Sequence, residues 1–180
     1  ILRGLARRLT VPVLVVQHLS QGFQNNLVTW VAEATGVPTC VGRHGTPLAP
    51  GVVYLAPDNK HMLASASGSL VLTEDPPQNG SRPSVSVLFE SVAEHYGPHA
   101  IGVLLTGMGR DGAKELRLLR DKGALTIAQD EETCAVYGMP AEAIRLKGAR
   151  YILPPDRITQ VVRHHLPKTA LNPEEAVSCL

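Results

Sequence analysis

The chain has 180 residues, 44 % of them hydrophobic, enough for one sizeable domain with its own core. Net charge is +1 with no dense basic run, and two Phe and one Trp are too few for base-stacking platforms, so nucleic acid is not an expected partner. Three widely spaced cysteines (Cys40, Cys134, Cys179) without a Cys-x-x-Cys pair argue against a disulfide framework or a zinc site. They suit a reducing cytoplasm. No run approaches the roughly 20 apolar residues of a membrane span, and no signal peptide is visible.

In chain order, residues 1–9 read as the end of a helix and 11–17 as a short apolar strand, buried on both faces. A helix over 22–35 is closed by Gly36. Residues 38–41 form a candidate strand, the Gly/Pro-rich stretch 45–51 forces turns, and 52–56 is a strand ended by Pro57-Asp58. Residues 61–66 and 69–73 flank Ser67-Gly68 as a hairpin, and 75–83 is an irregular loop with three prolines. A helix over 84–95 takes Ser84 as N-cap. Residues 101–105 are a buried strand, and Asp111 or Gly112 opens a helix that runs to Lys122 and stops at Gly123. The pattern closes with a strand over 124–128, a helix holding 141–146 between Pro140 and Gly148, a strand over 151–153 and a helix over 157–165. One domain over 1–166 is expected, followed by a flexible tail over 167–180. Alternating strands and helices predict an α/β fold: a doubly wound, mostly parallel sheet flanked by helices, with the antiparallel hairpin added near one edge.

In such sheets ligands bind beyond the carboxyl ends of the strands. His18 and Asp111 both follow apolar strands there. They offer two members of a Ser-His-Asp triad, with Asp111 on the Nδ1 of His18 to fix its tautomer. The simpler alternatives are a strand-end histidine bonded to a loop carbonyl, and an aspartate that caps its own helix. Gly107, Gly109 and Gly112 also fit G-x-G-x-x-G, with Asp130 about 20 residues on. A carboxylate at 111 would repel the pyrophosphate of a dinucleotide, so a tight strand-to-helix turn explains these glycines better. The backbone of that turn could form an oxyanion hole, with Met108 giving an amide and an apolar wall; otherwise Met108 is simple packing. His44, His61, His95, His99, His164 and His165 form no zinc-helix pattern, and Cys40 and Cys134 read as buried small hydrophobes. No metal or cofactor is expected.

Several segments, in order, resemble the catalytic domain of the chemotaxis receptor methylesterase (CheB) family. They are Val15-Val-Gln-His18, Val53-Tyr-Leu-Ala-Pro-Asp58, Lys60-His-Met62, Ser81-Arg-Pro-Ser-Val85 and Val87-Leu-Phe89. Gly102-Val-Leu-Leu-Thr-Gly-Met-Gly109, Asp111-Gly-Ala113, Thr126-Ile-Ala-Gln129 and Tyr137-Gly-Met-Pro140 continue the likeness, which covers roughly residues 1–165. The resemblance implies a cytoplasmic serine hydrolase that demethylates glutamyl methyl esters, and sometimes deamidates glutamines, on the cytoplasmic helices of chemotaxis receptors. His18 matches the family's triad histidine, Asp111 its aspartate, and Met108 the methionine that helps form the oxyanion site.

Three departures stand out. The family's Gly-x-Ser-x-Gly-Gly nucleophile turn is absent, and the serine is expected roughly ten residues or fewer before Ile1, given a mean helix of about 11–12 residues. The chain as given is therefore expected to be inactive or nearly so. Ser86 stands where the family usually has aspartate, and Lys114-Glu115 replaces a small Ala-Gly. The family's receiver domain is also absent from this chain. A degenerate, non-catalytic domain that binds receptors or another signalling protein is the second reading, and dinucleotide binding at Gly107–Gly112 a distant third.

Overall fold

The computed structural model describes residues 1–167; the expected tail lies, but for Pro167, outside the described residues. A short helix α1 (Leu2–Leu5) continues as a 3-10 turn (Ala6–Arg8). Then follow β1 (Val13–Val15), α2 (Gln24–Thr35), β2 (Thr39–Val41), β3 (Val53–Leu55), β4 (His61–Ala64), β5 (Leu70–Thr73) and α3 (Val85–His95). The second half holds β6 (Ile101–Leu104), α4 (Ala113–Asp121), β7 (Leu125–Gln129), α5 (Met139–Arg145), β8 (Tyr151–Leu153) and α6 (Pro155–His165).

The parallel strands form two three-stranded sheets, ordered β1-β3-β2 and β6-β7-β8. Period-two alternation makes each sheet two-faced. Val53 and Leu55 share one cluster with Leu125 and Ile127, against Leu5, Leu9 and, on α6, Ile158 and Val162. That single cluster joins the two sheets. On the opposite face, Val52, Tyr54 and Ala56 meet Met62, Leu70 and Leu88. Beside them α3, α4 and α5 pack through Phe89, Leu116, Leu119 and Ala143 around Leu104. Helices thus cover both faces, as the alternation of elements predicts.

The differences are local. β1 spans three half-buried residues rather than a run buried on both faces. Its only hydrogen-bonded neighbour among the described residues is β3. The hairpin β4-β5 is its own two-stranded antiparallel sheet rather than an added edge strand. It lies under α3, tied by the Ala64 amide donating to Ser91 Oγ at 3.1 Å. Prolines expected to precede helices sit inside their first turns instead: Pro140 in α5 and Pro155 in α6. The first turn has no use for that amide hydrogen, so proline is tolerated there.

Candidate active site

The loop carrying His18 leaves β1 and is pinned to the loop after β3. Gln24 opens α2, is buried, and reaches both ways: its Nε2 donates to the Ala56 carbonyl (2.9 Å) and its Oε1 accepts from the Asp58 amide (2.8 Å). The Gly22 amide donates to the Asp58 carboxylate at 2.9 Å, and Gln21 Nε2 to Asn59 Oδ1 at 3.0 Å. His18 itself stays open to solvent, its side chain 33 % accessible.

Asp111 comes from the turn between β6 and α4 and is 3 % exposed. Its Oδ2 accepts from His18 Nε2 at 3.0 Å. This corrects the expected contact through Nδ1. The geometry places the proton of the neutral ring on Nε2, and Nδ1 makes no hydrogen bond to any described residue. Asp111 is not the cap of its own helix either: that position belongs to Gly112, which makes no side-chain cap bond. The carboxylate instead crosses to the N-terminus of α3. Oδ2 accepts from the Val85 amide (2.7 Å), and Oδ1 from Ser84 Oγ (2.6 Å), the Ser86 amide (3.1 Å) and Asn79 Nδ2 (3.3 Å). Burial by itself would push the carboxyl pKa up. The hydrogen bonds from His18, Ser84, the Val85 amide and Ser86 outweigh it and hold Asp111 well below its ordinary value of 3.8.

Two supports for this cradle lie outside the candidates that the sequence pattern singles out. Asn79 has φ 53° and Gly80 φ 79°, and Gln78 and Ser81 exchange both backbone hydrogen bonds. This is a two-residue turn, and the Asn-Gly dipeptide inside the proline-rich loop is its usual signature. His61, fully buried on β4, accepts from the Ser84 amide at Nδ1 and donates from Nε2 to the Pro76 carbonyl, each at 3.2 Å. Gly112 is required where it stands: φ is 78°, and a Cβ would lie 2.4 Å from Val85 Cγ1.

The two side-chain departures from the family's pattern are partners in one hydrogen bond. Ser86 Oγ donates to Glu115 Oε2 at 2.6 Å. It accepts from the Gly112 amide (2.9 Å) and Asn79 Nδ2 (3.0 Å).

The turn after β6 is braced from β7. Gln129 Oε1 accepts from the Thr106 amide at 2.9 Å, and the Gly107 amide donates to the Val136 carbonyl at 3.0 Å. Gly138 packs so closely that a Cβ there would meet the Gly107 carbonyl at 2.7 Å. The Met108 and Gly109 amides donate to no acceptor among the described residues. Met108 is 85 % exposed, which rules out the packing role. Cys40 and Cys134, expected as buried hydrophobes, are only half-buried. No cluster of three or more His, Cys, Asp or Glu fit to hold a metal occurs among the described residues. No helix there is long and apolar enough to cross a membrane.

An α/β domain with a histidine–carboxylate pair beyond its strand ends, beside a turn with two free amides, is built like the catalytic part of a hydrolase. The chain belongs to the CheB methylesterase family, whose profile matches residues 1–162. It is 50 % identical over 162 residues to the protein-glutamate methylesterase/protein-glutamine glutaminase 1 of Syntrophus aciditrophicus, covering 90 % of this chain and 46 % of that protein. It is 42 % identical over 158 residues to the protein-glutamate methylesterase FrzG of Myxococcus xanthus, covering 88 % and 47 %. The crystal structure of the Thermotoga maritima CheB methylesterase catalytic domain superposes with a TM-score of 0.87 at 33 % identity, over 91 % of this chain and 88 % of that one. The chain thus spans about half the length of the curated relatives it matches.

Proposed function

We propose that this chain supplies the general base and the oxyanion turn of a cytoplasmic protein-glutamate methylesterase acting on chemotaxis receptors. The observation that carries the reading is the His18–Asp111 contact, which leaves Nδ1 of His18 as the free basic nitrogen. A serine hydroxyl attacks the carbonyl of a glutamyl methyl ester while His18 Nδ1 takes its proton. Asp111 stabilises the imidazolium, and the Met108 and Gly109 amides receive the oxyanion. The tetrahedral intermediate expels methanol, which takes the proton back from Nδ1. Water then attacks the acyl-serine, again with His18 as base, and leaves glutamate. A glutamine side chain follows the same course with ammonia as the leaving group.

None of the described serines is hydrogen-bonded to His18. Ser84 donates to Asp111 and Ser86 to Glu115, and no described hydroxyl bonds His18. The chain alone should accordingly release methanol slowly or not at all, since loss of a triad member costs orders of magnitude in rate. His18 and Met108 lie on an open surface, which suits a side chain presented by a folded macromolecule rather than a small free substrate.

The test is methanol release from a methylated receptor cytoplasmic fragment. The natural protein containing this chain should release methanol, and its His18→Ala variant should not. Wild-type turnover by that variant would overturn the assignment. Clear turnover by the chain alone would mean that a different nucleophile serves His18.

A further inference from the structure

Ser86 is completely buried, and its hydroxyl uses every bonding position it has. The one hydrogen goes to Glu115 Oε2 at 2.6 Å. The two lone pairs receive the Gly112 amide at 2.9 Å and Asn79 Nδ2 at 3.0 Å. Both of those donors define where Asp111 sits. Gly112 is its chain neighbour, and Asn79 Nδ2 also reaches Asp111 Oδ1 at 3.3 Å. Glu115, on the first turn of α4, is the only acceptor for the Ser86 proton among the described residues outside that cradle.

We propose that Glu115 is a positioning residue for the His18–Asp111 pair, acting through the Ser86 hydroxyl. With Glu115 in place, the Ser86 proton points away from Asp111 and its lone pairs face the two donors. Without it, the buried hydroxyl must either leave its proton unpaired or turn it toward Asp111 Oδ1, giving up the Gly112 amide. The second outcome adds a donor to a carboxylate that already accepts five and weakens its hold on His18. A charge effect of Glu115 on the α4 dipole would leave these orientations untouched.

The inference rests on the reading of His18 and Asp111 as a working pair. Its test uses no turnover, so failure of the esterase assignment would not be mistaken for failure here. In the 180-residue chain, NMR reports which nitrogen of the neutral His18 imidazole carries the proton. Glu115→Ala should lower the ratio of Nε2–H to Nδ1–H tautomers of the neutral ring several-fold. Glu115→Gln keeps an acceptor for Ser86 and should stay near wild type. The double variant Ser86→Asp, Glu115→Ala places a carboxylate directly on the Gly112 amide and Asn79, and should restore the wild-type tautomer ratio. Ser86→Asp alone sets two carboxylates against each other and should unfold at lower urea than the double variant. An unchanged His18 tautomer ratio in a folded Glu115→Ala chain would overturn the proposal. So would equal shifts in the Ala and Gln variants, which would mark a pure charge effect. If Glu115→Ala does not fold, the double variant decides: recovery of wild-type values supports the relay, and their loss refutes it.

Discussion

The oxygen of Asp111 that holds His18 also lies 2.7 Å from the Val85 amide, the first residue of α3. One carboxylate therefore closes a helix terminus and orients a histidine. The positive end of the α3 dipole and the buried amides stabilise its charge, so the start of α3 and the orientation of His18 depend on a single group. Asp111→Asn keeps the size but brings an NH2 group against donors. It should cost about 2–4 kcal/mol, read as a lower urea midpoint.

The same cradle sets an acid limit. The folded pKa of Asp111 is depressed below its ordinary 3.8. Its contribution is thus fully present above that value and is lost as pH falls toward the folded pKa. The urea midpoint should drop below about pH 4 in the wild type. In Asp111→Asn that drop should be smaller, and an identical acid profile in the two proteins would contradict the account.

Gly112 and Gly22 separate strain from collision. Both have positive φ, 78° and 86°, but a Cβ at 22 meets nothing within 4 Å, whereas one at 112 meets Val85. Alanine at 22 should cost about 1 kcal/mol, and alanine at 112 about 1–3 kcal/mol more. Equal melting temperatures for the two variants would show that α3 and α4 do not meet as closely as described.

His61 holds the Ser84 amide from behind, through a buried ring with both nitrogens engaged. His61→Leu leaves the Ser84 amide and the Pro76 carbonyl without a side-chain partner. It should destabilise the chain by about 1–3 kcal/mol. Amide exchange at Ser84, Val85 and Ser86 should accelerate first, ahead of the rest of α3.

Much of this was legible in the sequence, because local pattern decides it. The apolar runs gave the strands, Gly36 and Ser84 gave helix ends, and the strand-end positions of His18 and Asp111 made them candidates. The contact between them spans 93 residues and depends on how two loops are pinned. No spacing rule carries that, and none fixes which ring nitrogen makes the contact. Asn79 was readable from its Asn-Gly pair, though the surrounding prolines masked it. Ser86 and Glu115 were visible as departures, but their pairing depends on α3 and α4 packing side by side, which only tertiary structure reveals. β1 reads as fully buried from its composition alone, because apolarity reports what a strand can bury and not which neighbours it has.

The most direct measurement is the tautomer of His18, read from the imidazole nitrogen shifts of the neutral ring in the 180-residue chain. The account predicts a proton on Nε2, held by Asp111, with Nδ1 unprotonated, and loss of that preference in Asp111→Asn. A proton on Nδ1, or a tautomer indifferent to Asp111, would contradict it.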